Sequence, residues 1–178
     1  MPRDILAQPA NAAAVDPCMN PLISGAVASV LSAAVLALCG HVENRRPAGP
    51  LNGPSQWVFG RHAARMKRPS LRHTATGFAI HHVTATGWAV LHERAFGNDK
   101  AGQSLPQRLA RAALTSAVAN VVDFQLTPKR LQPGFDQQLS RKSLLAVYAA
   151  FAIGLSIAGS RKRRQSGTSG VRRGTAGA

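Results

Sequence analysis

Four side chains of this sequence set ionisable or amide chemistry among small and apolar neighbours. His81 and His82 are adjacent in GFAIHHVTATGWAVLHE, and Asn120 and Asp123 lie in ARAALTSAVANVVDFQL. An imidazole titrates near neutrality, and a carboxylate beside it can accept and return a proton. A His–Asp pair can therefore relay protons, line an ion path or, most simply, hold two helices in register by hydrogen bonding. At helical spacing Gly77, His81, Thr84, Trp88 and His92 share one face, while His82 turns about 100° away. Ser116, Asn120, Asp123 and Thr127 form a second polar stripe. A metal site built from His81, His82, Asp123 and His73 is a weaker reading, because adjacent helical histidines diverge from a common ion. No G-x-S-x-G, H-E-x-x-H, P-loop or GxGxxG motif stands in a credible context, and His92–Glu93 lacks the second histidine a zinc protease needs. The expectation is a protein that is not an enzyme and has no cofactor, with any metal ligands unassigned.

The elements that must position these residues are charge-free or charge-poor blocks. Asn20 to Gly40, NPLISGAVASVLSAAVLALCG, carries no charge and matches the roughly 20 residues a helix needs to cross a bilayer. Asn20–Pro21 is a suitable helix start. Gly25, Ser29, Ala33 and Ala37 form a row of small residues, and Ser143 to Ser160 has its own row in Ala146, Ala150, Gly154 and Ala158. Such rows let two helix backbones approach closely, so these two blocks are expected to pair. His73–Leu91 and Ala110–Leu126 are weaker spans that need neighbours, the latter closed by Pro128. Consecutive antiparallel helices would put Asn120 and Asp123 within roughly 6 Å of His81 in depth, counted at about 1.5 Å per residue. His81 is therefore expected to pair with Asn120 or Asp123.

The connectors are basic and rich in proline. In the stretch from His41 to Ser70, Trp57, Val58 and Phe59 precede Arg61, Arg65, Lys67 and Arg68. This predicts an interfacial helix over Ser55–Lys67, with Trp57 and Phe59 embedded as anchors and Arg61 and Arg65 on headgroup phosphates. The formal charge of +15, from 22 Lys and Arg against 7 Asp and Glu, suits an anionic bilayer face or nucleic acid. Bunching of the apolar residues favours the bilayer, and nucleic acid is the less favoured partner. Counted over four spans, each side carries eleven basic residues, so the positive-inside rule selects no orientation; the dense C-terminal cluster tilts the reading toward cytoplasmic termini. Cys18 and Cys39 form no metal or disulfide motif, and the first 20 residues, with Arg3 as their only base, make a poor secretory signal.

The stretches PLNGPSQWVFG, LRHTATGFAIHH, WAVLHE, VVDFQLTPKRLQPGFDQQLS and AVYAAFAIGL resemble a family of small, functionally uncharacterised four-helix proteins of bacterial inner membranes, over roughly Pro21 to Ser160. The resemblance implies architecture and location and carries no activity. In the family pattern a histidine follows the serine of the interfacial stretch; here the residue is Gln56, which argues against a metal ligand at that place. The expected architecture is all-α: a polytopic membrane protein with about four transmembrane helices and a short interfacial helix. Residues 1–19 are expected to be a flexible segment, 20–160 the helical domain and 161–178 a disordered basic tail. The expected function is a structural or accessory inner-membrane protein that associates with anionic lipid, other subunits or further copies of itself. The alternatives are a small transporter or proton-conducting protein using the His/Asp cluster, and a soluble basic helical protein that binds nucleic acid.

Overall fold

The computed structural model describes residues 19–97 and 103–158, and among them every regular element is helical. The flexible N-terminal segment and basic C-terminal tail expected from the sequence lie outside the described residues, apart from Met19. Four long helices form a bundle: α1 (Met19–Asn44), α4 (Thr76–Phe96), α5 (Leu105–Val121) and α6 (Arg141–Ala158). Two short ones, α2 (Ala48–Asn52) and α3 (Gln56–Phe59), belong to the connector after α1. Pro21–Asn44 is the one described helix long and apolar enough to cross a membrane by itself.

The long helices overrun the apolar blocks for identifiable reasons. Helix α1 continues one turn past Gly40 and stops where Arg45 takes a left-handed conformation (φ 55°). The Arg46 N–H then returns to the Gly40 carbonyl at 3.0 Å and the Arg45 N–H to His41 at 2.9 Å, which satisfies carbonyls the helix end would orphan. A Gly usually marks such an end, so an arginine there hides it. Helix α5 starts earlier than its apolar block because Gln107 Oε1 accepts the Ser104 N–H at 3.0 Å and Pro106 suits the first turn. Wide π turns precede α4 (Leu71–Ala75) and follow α5 (Val122–Leu126).

Helix α1 is central, with α6 on one side and α4 on the other, and α5 packs on α6. The pairing of the first and last blocks expected from their small residues is present. A side chain at Gly154 would run into the backbone of Ala28, so these helices approach as closely as a missing Cβ permits. Gly25, from the same row on α1, faces α4 instead: a Cβ there would lie 2.7 Å from Thr86 Cα. Helices α4 and α5, though consecutive, make the sparsest contact among these neighbours.

At the end where α1 finishes and α4 begins, the two proline-rich connectors fold against each other into a cap. The expected continuous helix over Ser55–Lys67 is not formed. Residues 53–55 are a single 3-10 turn, α3 ends at Phe59, Gly60 turns the chain at φ 81°, and Ala63–Arg65 is another short turn. The physical reason is that this segment serves the protein interior: Asn52, Ser55 and Gln56 are fully buried.

Four side-chain amides stitch the cap. Asn52 Nδ2 donates to the Met66 carbonyl at 2.7 Å and the Arg68 carbonyl at 3.1 Å, and its Oδ1 accepts from Thr74 Oγ1 at 2.7 Å. Gln56 Nε2 donates to the Gln132 carbonyl at 2.6 Å. Gln132 Nε2 in turn reaches the carbonyls of Phe124 and Thr127 at 3.1 and 3.2 Å. Gln138 Nε2 spans the carbonyls of Gly49 and Ala64 at 2.8 and 2.5 Å. Amides suit this work because one side chain both donates and accepts where two irregular backbones must be satisfied out of water. Gly134 (φ 78°) lets the second connector turn directly onto Gly53, where a Cβ would lie 2.7 Å from the Gly53 carbonyl oxygen.

Candidate functional site

Between α4 and α5, below the cap, lies a partly open cleft with an internal volume of about 60 Å³. Its walls come from α4 (His81, Thr84, Trp88) and α5 with its π turn (Ala119, Asp123); α1 and α6 supply the floor (Ser32, Tyr148, Phe151), and Trp57 and Phe135 of the cap close one end. The two flanking helices meet toward their linked ends, where His92 Nδ1 and Thr115 Oγ1 are 2.8 Å apart. Toward the cap the space between them is the cleft.

The structure brings His81 and Asp123 to this one cleft but does not pair them. His81 Nε2 lies 2.9 Å from Ser32 Oγ of α1. Asp123 Oδ2 accepts the Tyr148 hydroxyl of α6 at 2.6 Å, and Asn120 is a second polar neighbour of that hydroxyl. The expected His81 bond to Asn120 or Asp123 is therefore corrected on both sides. Its premise, that consecutive helices are the packing partners, fails because α1 takes the face of α4 and α6 takes the face of α5. The α5 stripe is real but turns to α6: Ser116 Oγ donates to the Tyr148 carbonyl at 2.7 Å. Thr127, at its end, bonds its own turn through the Val122 carbonyl.

His82 stands apart from the cleft. Its ring lies 6.0 Å from Phe78, and Nδ1 is buried with no hydrogen-bond partner among the described residues. His73 is held by Ser70 (3.2 Å) and by the Phe59 ring, 5.1 Å away. Among the described residues no three His, Cys, Asp or Glu side chains are grouped to hold a metal ion.

The four anchors read from the connector split in two. Trp57 is half-buried, donates its indole N–H to the Gln132 carbonyl at 3.3 Å and lines the cleft. Phe59 packs beneath the guanidinium of Arg72 at 4.4 Å. Arg61 and Arg65 are exposed, Arg65 touching Gln137 at 3.4 Å. The aromatic members thus serve the cap and cleft, while the basic members face outward.

Sequence reasoning missed Tyr148 and Ser32. Tyr148 is the only tyrosine of the chain and sits in an otherwise apolar block. A buried phenol needs a partner for its O–H, so a lone Tyr in such a block is a usable signal. Ser32 is one of several serines in a charge-free helix, and nothing local separates it from Ser24 or Ser29. No family model matches the chain, and no curated protein or solved structure matches it either.

Proposed function

We propose that this chain is a four-span inner-membrane protein with a structural or accessory role, anchored in the bilayer by α1, α4, α5 and α6. What carries the reading is an inverted distribution of side chains. In α1 Ser24 (1% exposed), Ser29 (0%) and Ser32 (1%) are buried with Ala28, Ala33 and Leu36, whereas Leu38 (60%), Val30 (57%) and Leu22 (54%) point outward. Helix α5 shows the same inversion: Thr115 and Ser116 are buried while Leu114 and Val118 are exposed. Helix α6 exposes Leu145, Ile153 and Ile157 but buries Val147, Phe151 and Leu155 beside Ser156. A helix in water places its large aliphatic side chains inward, and exposed apolar patches of this extent mark a surface meant for another apolar phase. Small and polar residues inside with aliphatic residues outside is the arrangement lipid favours.

The weaker spans α4 and α5 are accounted for by the same geometry, since His81, Thr84 and Asp123 line the cleft, Ser116 bonds α6, and His92 and Thr115 bond each other. The exposed bases of the cap, Arg61, Arg65, Lys67, Arg68 and Arg72, supply contacts for anionic headgroups. The family resemblance in the motifs agrees with this location. The test is fractionation of cells expressing the full chain. It is expected to remain in the membrane pellet after alkaline carbonate or high salt and to be released by detergent. Release by carbonate, or a monodisperse species in buffer without amphiphile, would overturn the reading.

One observation favours a second reading, a small transporter or proton-conducting protein: His81 and Asp123 line the same cleft. Proton flux in proteoliposomes that disappears in His81→Ala and Asp123→Asn would establish it, and an unchanged leak would exclude it.

A further inference from the structure

The polar atoms of the cleft are unbalanced in a way that selects a ligand. Most of its side-chain donors are already spent within the protein. The Thr84 hydroxyl donates to the Ile80 carbonyl at 3.0 Å, the Trp57 indole to Gln132 at 3.3 Å and the Tyr148 hydroxyl to Asp123 at 2.6 Å. Ser32 Oγ donates to the Ala28 carbonyl at 2.8 Å. His81 Nε2 lies 2.9 Å from the same Oγ, and the backbone of Ser29 is a further partner of the ring, so the imidazole is engaged by α1. Apart from the Trp88 indole, what remains for an occupant is an acceptor, the second carboxylate oxygen of Asp123.

Among the described residues no lysine or arginine lines the cleft, and the carboxylate has a phenol as its partner there. Around it stand the faces of Trp57, Trp88, Phe135 and Phe151. A carboxylate in a donor-poor, aromatic-walled cleft suits one class of molecule: an ammonium group, which brings donors and positive charge, carried on an apolar body. An anion would meet no lining cation and, among the described hydrogen bonds, only the Trp88 indole as a spare donor, and a purely apolar molecule would leave Asp123 unmatched.

We propose that the cleft between α4 and α5 binds a lipophilic amine, its ammonium held by Asp123 and its apolar body by the aromatic walls. The bilayer reading enters only in the route, since such an amine concentrates in the membrane and reaches the cleft from the side. Binding itself does not depend on it.

Both tryptophans of the chain, Trp57 and Trp88, line the cleft, so intrinsic fluorescence reports occupancy directly. The full chain, in detergent or in whatever buffer keeps it monodisperse, is titrated with phenylbutylamine and with phenylbutanol, its neutral isostere. The amine is expected to give a saturable change in emission at a Kd at least about tenfold below that of the alcohol, the order a hydrogen bond to a charged group supplies. In Asp123→Asn the preference should fall to within about twofold while alcohol binding persists, and Asp123→Glu should restore it. Equal affinities for the two probes in the wild-type chain, or a preference that survives in Asp123→Asn, would overturn the proposal. The wild-type comparison stands even where a variant does not fold. A carbonate-extractable protein that still prefers the amine would sink the membrane reading and leave this site intact.

Discussion

Replacing Gln138 by Met removes the clasp between the two connectors while keeping the length and bulk of the side chain. The amide Nε2 bonds two carbonyls, Gly49 at 2.8 Å and Ala64 at 2.5 Å, and both residues are buried, Ala64 completely. Each hydrogen bond contributes about 1 kcal/mol net, and a buried carbonyl left dry adds to the loss, so the deletion should cost about 2 to 4 kcal/mol. For a domain of this size that corresponds to a fall in Tm of about 10 °C. Thermal unfolding followed by tryptophan emission is a suitable assay, because Trp57 sits in the cap and bonds Gln132 in the same network. Gln138→Glu, which replaces the donors with acceptors facing two carbonyls, should be worse still at neutral pH. It should recover toward wild type in acid: its folded-state pKa is raised, so the stability is present below the unfolded value and lost as pH rises. A Gln138→Met protein that melts within about 2 °C of wild type would refute the account of the cap as an amide-stitched unit.

Tyr148→Phe deletes the O–H directed at Asp123 at 2.6 Å, and should lower stability by about 1 to 3 kcal/mol in the same unfolding assay. An unchanged Tm would show that the carboxylate does not depend on that bond. Two glycines of the bundle should respond with opposite signs. Gly154→Val drives a branched side chain into the Ala28 backbone and should cost at least about 2 kcal/mol, whereas Gly87→Ala, with nothing within 4 Å of the added Cβ, should gain about 0.5 to 1 kcal/mol. Losses of similar size at both positions would contradict the close α1–α6 approach.

The residue sequence alone determined the helical class, the four blocks and the pairing of the first with the last. Charge-free runs and rows of small residues are local patterns, and a helix carries them intact into the fold. It also marked His81 and Asp123 as residues that one site would share, because each interrupts an apolar face at a comparable depth. Which partners they take was a matter of tertiary structure. Helix neighbours are chosen by the close approach that Gly154 permits on Ala28 and Gly25 on Thr86, and that choice set α1 between α4 and α6 and turned the α5 stripe to Tyr148. The cap shows the same division more sharply. Asn52, Gln56, Gln132 and Gln138 read as ordinary loop amides because their bonds reach across sequence separations that no local pattern records, as in the 89 residues between Gln138 and Gly49. Local composition chooses elements, but a buried polar atom finds its partner only when the chain has closed around it.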